Sequence, residues 1–259
     1  MVFEAVHPSY DRIALKLVHP SPGTAQQRAL REIETAAKLL GPAFPRIHDW
    51  GQESFGRTPV IYVIEEFLDG GYLRTALNAR GQIPLAEVLV LGDSLLEALV
   101  EVEAAHLVHR DIKPENIMVP SGRVVLIDFG IARHLDLASL TLDYVPNGPL
   151  TPGYAAPEQI RNEKGYITVR TDLFAIGVVL YECLTGRNPF LENCSSPAEA
   201  LQRGLKLNPQ PLTSLAPVVP PDLESFVHRC LSKAAHRRPP SAVDALDEIR
   251  ERRAALTGP

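Results

Sequence analysis

The spacing of apolar residues changes several times along the chain, and each change predicts an element. Val2-Phe3-Glu4-Ala5-Val6 and Ile13-Ala14-Leu15-Lys16-Leu17-Val18 are strand-like runs on either side of the turn-forming Pro8-Ser9-Tyr10-Asp11. From Thr24 the spacing becomes helical. Leu30, Ile33, Ala36 or Ala37, and Leu40 share a face, Thr24 and Gln27 are spaced as a capping box, and Gly41-Pro42 supplies a stop. Strands are predicted around Ile47 and over Pro59–Ile64. Between Pro84 and Ala105, the positions Val88, Leu91, Leu95, Leu99 and Val102 keep helical intervals, which predicts a long helix. Ile117-Met118-Val119 and Val124-Val125-Leu126-Ile127 flank Pro120-Ser121-Gly122-Arg123 and read as a hairpin. Thr171 to Tyr181 is apolar almost all round and predicts a buried helix, with Asp172 placed as its N-cap.

The hairpin has chemistry at both ends. Before it stands His109-Arg110-Asp111-Ile112-Lys113-Pro114-Glu115-Asn116, and after it Asp128-Phe129-Gly130, so the turn brings Asn116 beside Asp128. Phosphoryl transfer leaves little covalent work to a protein and needs mostly positioning and charge neutralisation. Asp111 can accept or orient a hydroxyl proton, and Lys113 can point the same way toward a phosphate. Asn116 offers a neutral oxygen and Asp128 a charged one to a hard cation. Pro114 disfavours helix at Lys113, as suits a loop.

His-Arg-Asp with Asn116 five residues after the Asp, then Asp-Phe-Gly, then Ala156-Pro157-Glu158, resembles in order and spacing a eukaryotic-type (Hanks-type) Ser/Thr protein kinase domain of the kind also found in bacteria. The resemblance spans nearly the whole chain. It implies an α+β fold of two lobes, with residues 1–68 a small β-rich lobe and 69–259 a larger helical lobe. It also implies transfer of the ATP γ-phosphate to Ser or Thr hydroxyls of protein substrates, with Mg2+ (or Mn2+). Asp111, Lys113 and Asn116 become the catalytic set, and Asn116 and Asp128 the metal ligands. Lys16 becomes the lysine of the α/β-phosphates, paired with a helix glutamate. Glu32 is taken for that partner, because Glu34 has Lys38 four residues on whereas Glu32 adjoins the apolar stripe. Val2 and Ala14 would line the nucleotide, and Glu66 and Leu68 would belong to the hinge that meets the adenine ring. Arg238 is expected to pair with Glu158, and Asp172 to accept hydrogen bonds from the catalytic-loop backbone. Lys113 favours Ser or Thr acceptors, because tyrosine-directed relatives usually lack that lysine.

Two features depart from the pattern. Glu65 stands where the family usually has an apolar or neutral residue at the back of the nucleotide pocket, so its carboxylate must be hydrogen-bonded or solvated. With Val2 aligned to the valine of the Gly-rich loop, the first strand and its glycines fall before Met1. Either the chain begins upstream or the phosphates lack a cover. A pseudokinase that binds nucleotide or partners without transfer is the alternative reading, and a small-molecule phosphotransferase a third. The segment from Asp128 to Glu158 carries Ser139, Thr141, Tyr144 and Thr151. Thr141, or Ser139 beside it, is the expected site of phosphorylation in trans by a second copy, with Arg110 and Arg133 as phosphate ligands.

Composition narrows the rest. The 259 residues, 45% apolar and 22% charged, suit one large domain or two lobes. A net charge of −5 gives no support to nucleic-acid binding. Three cysteines without a C-x-x-C pair indicate neither a disulfide framework nor a zinc site, and point to a cytoplasmic setting. No apolar run reaches membrane-spanning length.

Overall fold

In a computed structural model of the chain, residues 1–19, 24–56, 58–128 and 150–257 are described. The alternating runs at the start form a four-stranded antiparallel sheet from β1 (Val2–His7), β2 (Asp11–Val18), β3 (Ile47–Phe55) and β4 (Thr58–Glu66). Its spatial order is β1-β2-β4-β3, so the two central strands are β2 and β4. Lys16 pairs with Val2 on one side and Val63 on the other, and Ala14 pairs with Glu4 and Glu65. Because side chains alternate along a strand, Val2, Ala14, Lys16, Val63 and Glu65 share one face of the sheet. Helix α1 (Thr24–Ala36) packs on that same face, where Ala29 and Ile33 meet Ile61 and Val63 in a small buried cluster.

Helix α1 ends earlier than its apolar stripe predicts. The chain leaves it after Ala36 through short-range bonds from Lys38 N–H to Thr35 O and from Leu39 N–H to Ala36 O. Leu40 is therefore off the stripe and 80% exposed, and Leu39 is buried instead. Leu39, Ala43 and Phe44 join the large core of the helical part, and Ala43 O accepts from Leu126 N–H. The link between small and large parts is thus a packed one.

Residues 67–70 lead from β4 into a second, three-stranded sheet of β5 (Gly71–Tyr72), β6 (Ile117–Val119) and β7 (Val125–Leu126). Gly70 is required there, since a Cβ would stand 2.6 Å from the backbone of Pro120. β6 and β7 form the expected hairpin, with Ile117 opposite Leu126, and Ile127 N–H donates to Asn116 O. Helices α2 (Leu73–Arg80), α3 (Leu85–Ala104), α4 (Pro157–Ile160), α5 (Val169–Thr185), α6 (Pro197–Lys206), α7 (Leu212–Leu215), α8 (Pro221–Cys230) and α9 (Ala242–Thr257) complete the larger part. The α+β, two-lobed architecture expected from the resemblance is the one observed.

The long helix α3 buries Val88, Leu91, Leu95, Leu99 and Val102 as its spacing predicts. Helix α5 is buried from Val169 to Thr185 save Arg170. One expectation for α5 is corrected. Thr168, not Asp172, is the N-cap: its Oγ1 accepts from Arg170 N–H, and Thr171 Oγ1 accepts from Thr168 N–H. Asp172 lies one turn in, and its oxygens serve the segment before Asp111.

Candidate active site

The loop carrying Asp111 is built from beneath. The carboxylate of Asp172, 1% exposed, accepts from His109 N–H and Arg110 N–H, both at 2.7 Å. Burial pushes this carboxyl up to about 7, against the downward pull of the two N–H donors. The His109 ring is also buried. Its Nδ1 accepts from Asp111 N–H at 3.3 Å and its Nε2 lies 3.2 Å from Ile127 O, so the ring ties the loop to the hairpin. Gln159 of α4 donates to Arg110 O at 3.0 Å. Arg110 and Asp128 are held at positive φ, 66° and 57°, a conformation uncommon for residues with a Cβ and concentrated at functional sites.

With its backbone pinned on both sides, Asp111 presents a carboxylate met by three side chains. Oδ2 accepts from Lys113 Nζ at 3.0 Å and Asn116 Nδ2 at 3.1 Å, and Oδ1 accepts from Thr151 Oγ1 at 2.8 Å. Lys113 Nζ also reaches Thr151 Oγ1 at 3.3 Å, and Asn116 Nδ2 donates to Asp111 O at 2.8 Å. Asn116 thus spends its NH2 group on Asp111, so a cation here would meet its carbonyl oxygen. A carboxylate and a neutral amide oxygen at the two ends of one hairpin are hard donors that fit Mg2+.

Lys16 comes to this centre from the small lobe. Its Nζ lies 2.5 Å from Asp128 Oδ1 and 2.7 Å from Glu65 Oε2. Burial lowers the lysine pKa, and the two carboxylates more than reverse that, holding the ammonium above the usual lysine range. Burial pushes the Glu65 carboxyl up, opposed by Lys16. The carboxylate that resemblance assigns to Lys16 was Glu32. Glu32 lies half-buried on α1, while the carboxylates seen on the lysine are those of Glu65 and Asp128. The strand register is the physical reason for Glu65, since it projects beside Lys16 from the same face.

Of the other expected nucleotide contacts, Val2 and Ala14 lie on the Lys16 face of the sheet, with Val2 on the edge strand and 60% exposed. Glu66 turns the other way. Its side chain accepts from Arg123 at 2.8 Å and Arg46 N–H at 3.2 Å, and its own N–H is spent on Arg46 O. Leu68 is half-buried in the link after β4. Phe129, Gly130, Arg133, Ser139, Thr141 and Tyr144 lie outside the described residues.

Glu158 of α4 and Arg238 form a bidentate pair at 2.7 and 3.0 Å, with side chains 3% and 0% exposed. Thr171 Oγ1 adds a bond to Glu158, and Arg238 also donates to Ser232 O and Arg170 O. Burial raises the Glu158 carboxyl, but Arg238 outweighs it and holds the group below the usual carboxylate range. A second polar knot escaped sequence reading. Arg74 of α2 reaches Glu115 at 2.7 Å, Glu182 of α5 at 2.8 Å and Tyr154 Oη at 2.5 Å, and Tyr154 Oη in turn donates to Glu182. Nothing local announces a contact between residues 74 and 182; two long side chains meet there from segments far apart in the chain.

A two-lobed fold, with a lysine from the small lobe on Asp128 and a carboxylate–lysine–amide loop on the large lobe before the same hairpin, defines the class of phosphotransferases. The chain belongs to the protein kinase domain family, whose family model matches residues 1–248. It is 33% identical over 226 residues to a probable serine/threonine-protein kinase of Streptomyces coelicolor, across 87% of this chain and 32% of that protein. It is 34% identical over 231 residues to the serine/threonine-protein kinase PknL of Mycobacterium tuberculosis, across 87% of this chain and 55% of PknL. The chain therefore spans between a third and a little over half of these relatives. The crystal structure of the M. tuberculosis PknI kinase domain superposes with a TM-score of 0.73 at 25% identity, over 96% of this chain and 89% of that one. Among the described residues, no helix is long and apolar enough to cross a membrane.

Proposed function

We propose that this domain transfers the γ-phosphate of ATP to Ser or Thr hydroxyls of protein substrates, with Asp111, Lys113 and Asn116 as the catalytic set. The observation that carries the reading is the Asp111 carboxylate held between Thr151, Lys113 and Asn116. Those bonds fix the direction of the carboxylate, as a group that orients an acceptor hydroxyl must be fixed. Lys113, already in the same cluster, can follow the transferred phosphate. Lys16 neutralises phosphate charge from the small lobe. The divalent cation, Mg2+ by the hardness of its donors, would be held by Asn116 and Asp128 and would supply positive charge to neutralise the phosphates. Val2 and Ala14 face the nucleotide, and the link from Glu66 to Leu68 receives the base.

The same reading extends to regulation and setting. A second copy phosphorylates Thr141 or Ser139, and the domain works in the cytoplasm, where ATP and reduced thiols are available. Transfer of 32P from labelled ATP to the domain itself and to a generic protein substrate tests the reaction. Label well above that of an Asp111→Asn variant is expected. Equal label in both would leave a nucleotide-binding scaffold instead. Peptide mapping after incubation with Mg-ATP tests the phosphosites; no phosphate between residues 134 and 151 would remove that part.

A further inference from the structure

A carboxylate buried in a nucleotide cleft should repel the phosphates unless it is neutralised. Glu65 is 7% exposed, and its Oε2 lies 2.7 Å from Lys16 Nζ. The strand register makes this contact. Lys16 pairs with Val63, and Glu65, two residues further along β4, projects from the same face one diagonal step away, a gap that two long side chains close. We infer that Glu65 is the positioning residue for Lys16: a carboxylate on the sheet holds the phosphate-binding lysine in the place that the resemblance reserves for a helix carboxylate. The inference rests on the kinase reading above and assigns Lys16 its orienting partner within that site.

Donor counting supports it. An ammonium has three N–H donors. One goes to Glu65, and another is on Asp128 at 2.5 Å. When Asp128 serves the cation, that donor and the third are left for phosphate oxygens, while Glu65 keeps the side chain aimed. The charges agree as well. Lys16, Glu65 and Asp128 sum to −1, so the cluster favours entry of a divalent cation with the nucleotide. The mechanical consequence is specific. Because β2 and β4 are neighbours in one sheet, Lys16 and Glu65 move as one body, and the lysine stays aimed whether or not α1 shifts.

The test is a double-mutant cycle on the whole chain, read by calorimetric Mg-ATP affinity and by initial rates of 32P transfer. Glu65→Gln is expected to weaken Mg-ATP binding and lower kcat/KM by about 10–100-fold, the usual size for loss of a partner that orients a ligand-binding group. In a Lys16→Met background the same change should cost nothing further, a non-additivity that a merely structural role would not produce. Glu65→Asp should recover part of the loss. If Glu65→Gln does not melt cooperatively, Glu65→Met, an apolar replacement of similar length, takes its place with the same expectation. Parent-like affinity in a folded Glu65→Gln or Glu65→Met, additive losses in the cycle, or a larger loss from Glu32→Gln than from Glu65→Gln would each overturn the inference. Absence of transfer by the parent would defeat the kinase reading alone, because the affinity cycle still reports on Glu65.

Discussion

Single side chains divide the chemistry at this site. Asp111 is held by Thr151, Lys113 and Asn116 while Asp128 meets Lys16, so under the proposed function their amides should fail differently. Asp111→Asn is expected to lower kcat by ~10²–10⁴-fold, the range for a general base, with Mg-ATP affinity near that of the parent. Asp128→Asn is expected to weaken Mg-ATP binding itself, measured by titration calorimetry. Asp172 offers a subtler case. Its two oxygens satisfy two buried N–H groups, whereas an amide has one acceptor oxygen. Asp172→Asn should therefore orphan one N–H and cost about 1–3 kcal/mol in urea unfolding, with a displaced catalytic loop and reduced kcat.

At the scale of elements, helices α3 and α5 form the frame, and what starts and ends them matters. Thr168→Ala removes the cap of α5 and should cost about 1 kcal/mol, read as a lower urea midpoint at unchanged slope. Leu99 of α3 is fully buried, and Leu99→Ala should cost ~2–5 kcal/mol through lost burial and a residual cavity. The end of α1 shows the limit of periodicity. Helical spacing continues to Leu40, yet the backbone turns after Ala36 so that Leu39 and Phe44 can enter the core around α3.

Over the whole molecule, buried charge pairs tie distant segments together, and pH tests them. Glu158 has a lowered pKa in the folded state, so its pairing with Arg238 stabilises the fold fully above the ordinary glutamate value near 4.5. That contribution is lost as pH falls below it through the folded value. The expected result is a steeper acid loss of stability in the parent than in Glu158→Gln as pH falls below the ordinary glutamate value. Arg238→Met at neutral pH leaves Glu158 buried and unpaired and should cost ~3–5 kcal/mol by thermal or urea unfolding.

The order and spacing of a few motifs determined the fold class and most of the candidate site, because phosphoryl transfer demands particular donors at particular separations and short hairpins keep neighbours together. Asn116 beside Asp128 was legible from the hairpin and the buried helix α5 from its apolar run, whereas the pairing of Glu158 with Arg238 was legible only through the resemblance. Tertiary structure decided which carboxylate meets Lys16, where α1 stops, and that Arg74 joins Glu115, Glu182 and Tyr154. Each of those depends on strand register or helix packing between segments far apart in the chain, and side-chain periodicity carries no information about what lies across the gap.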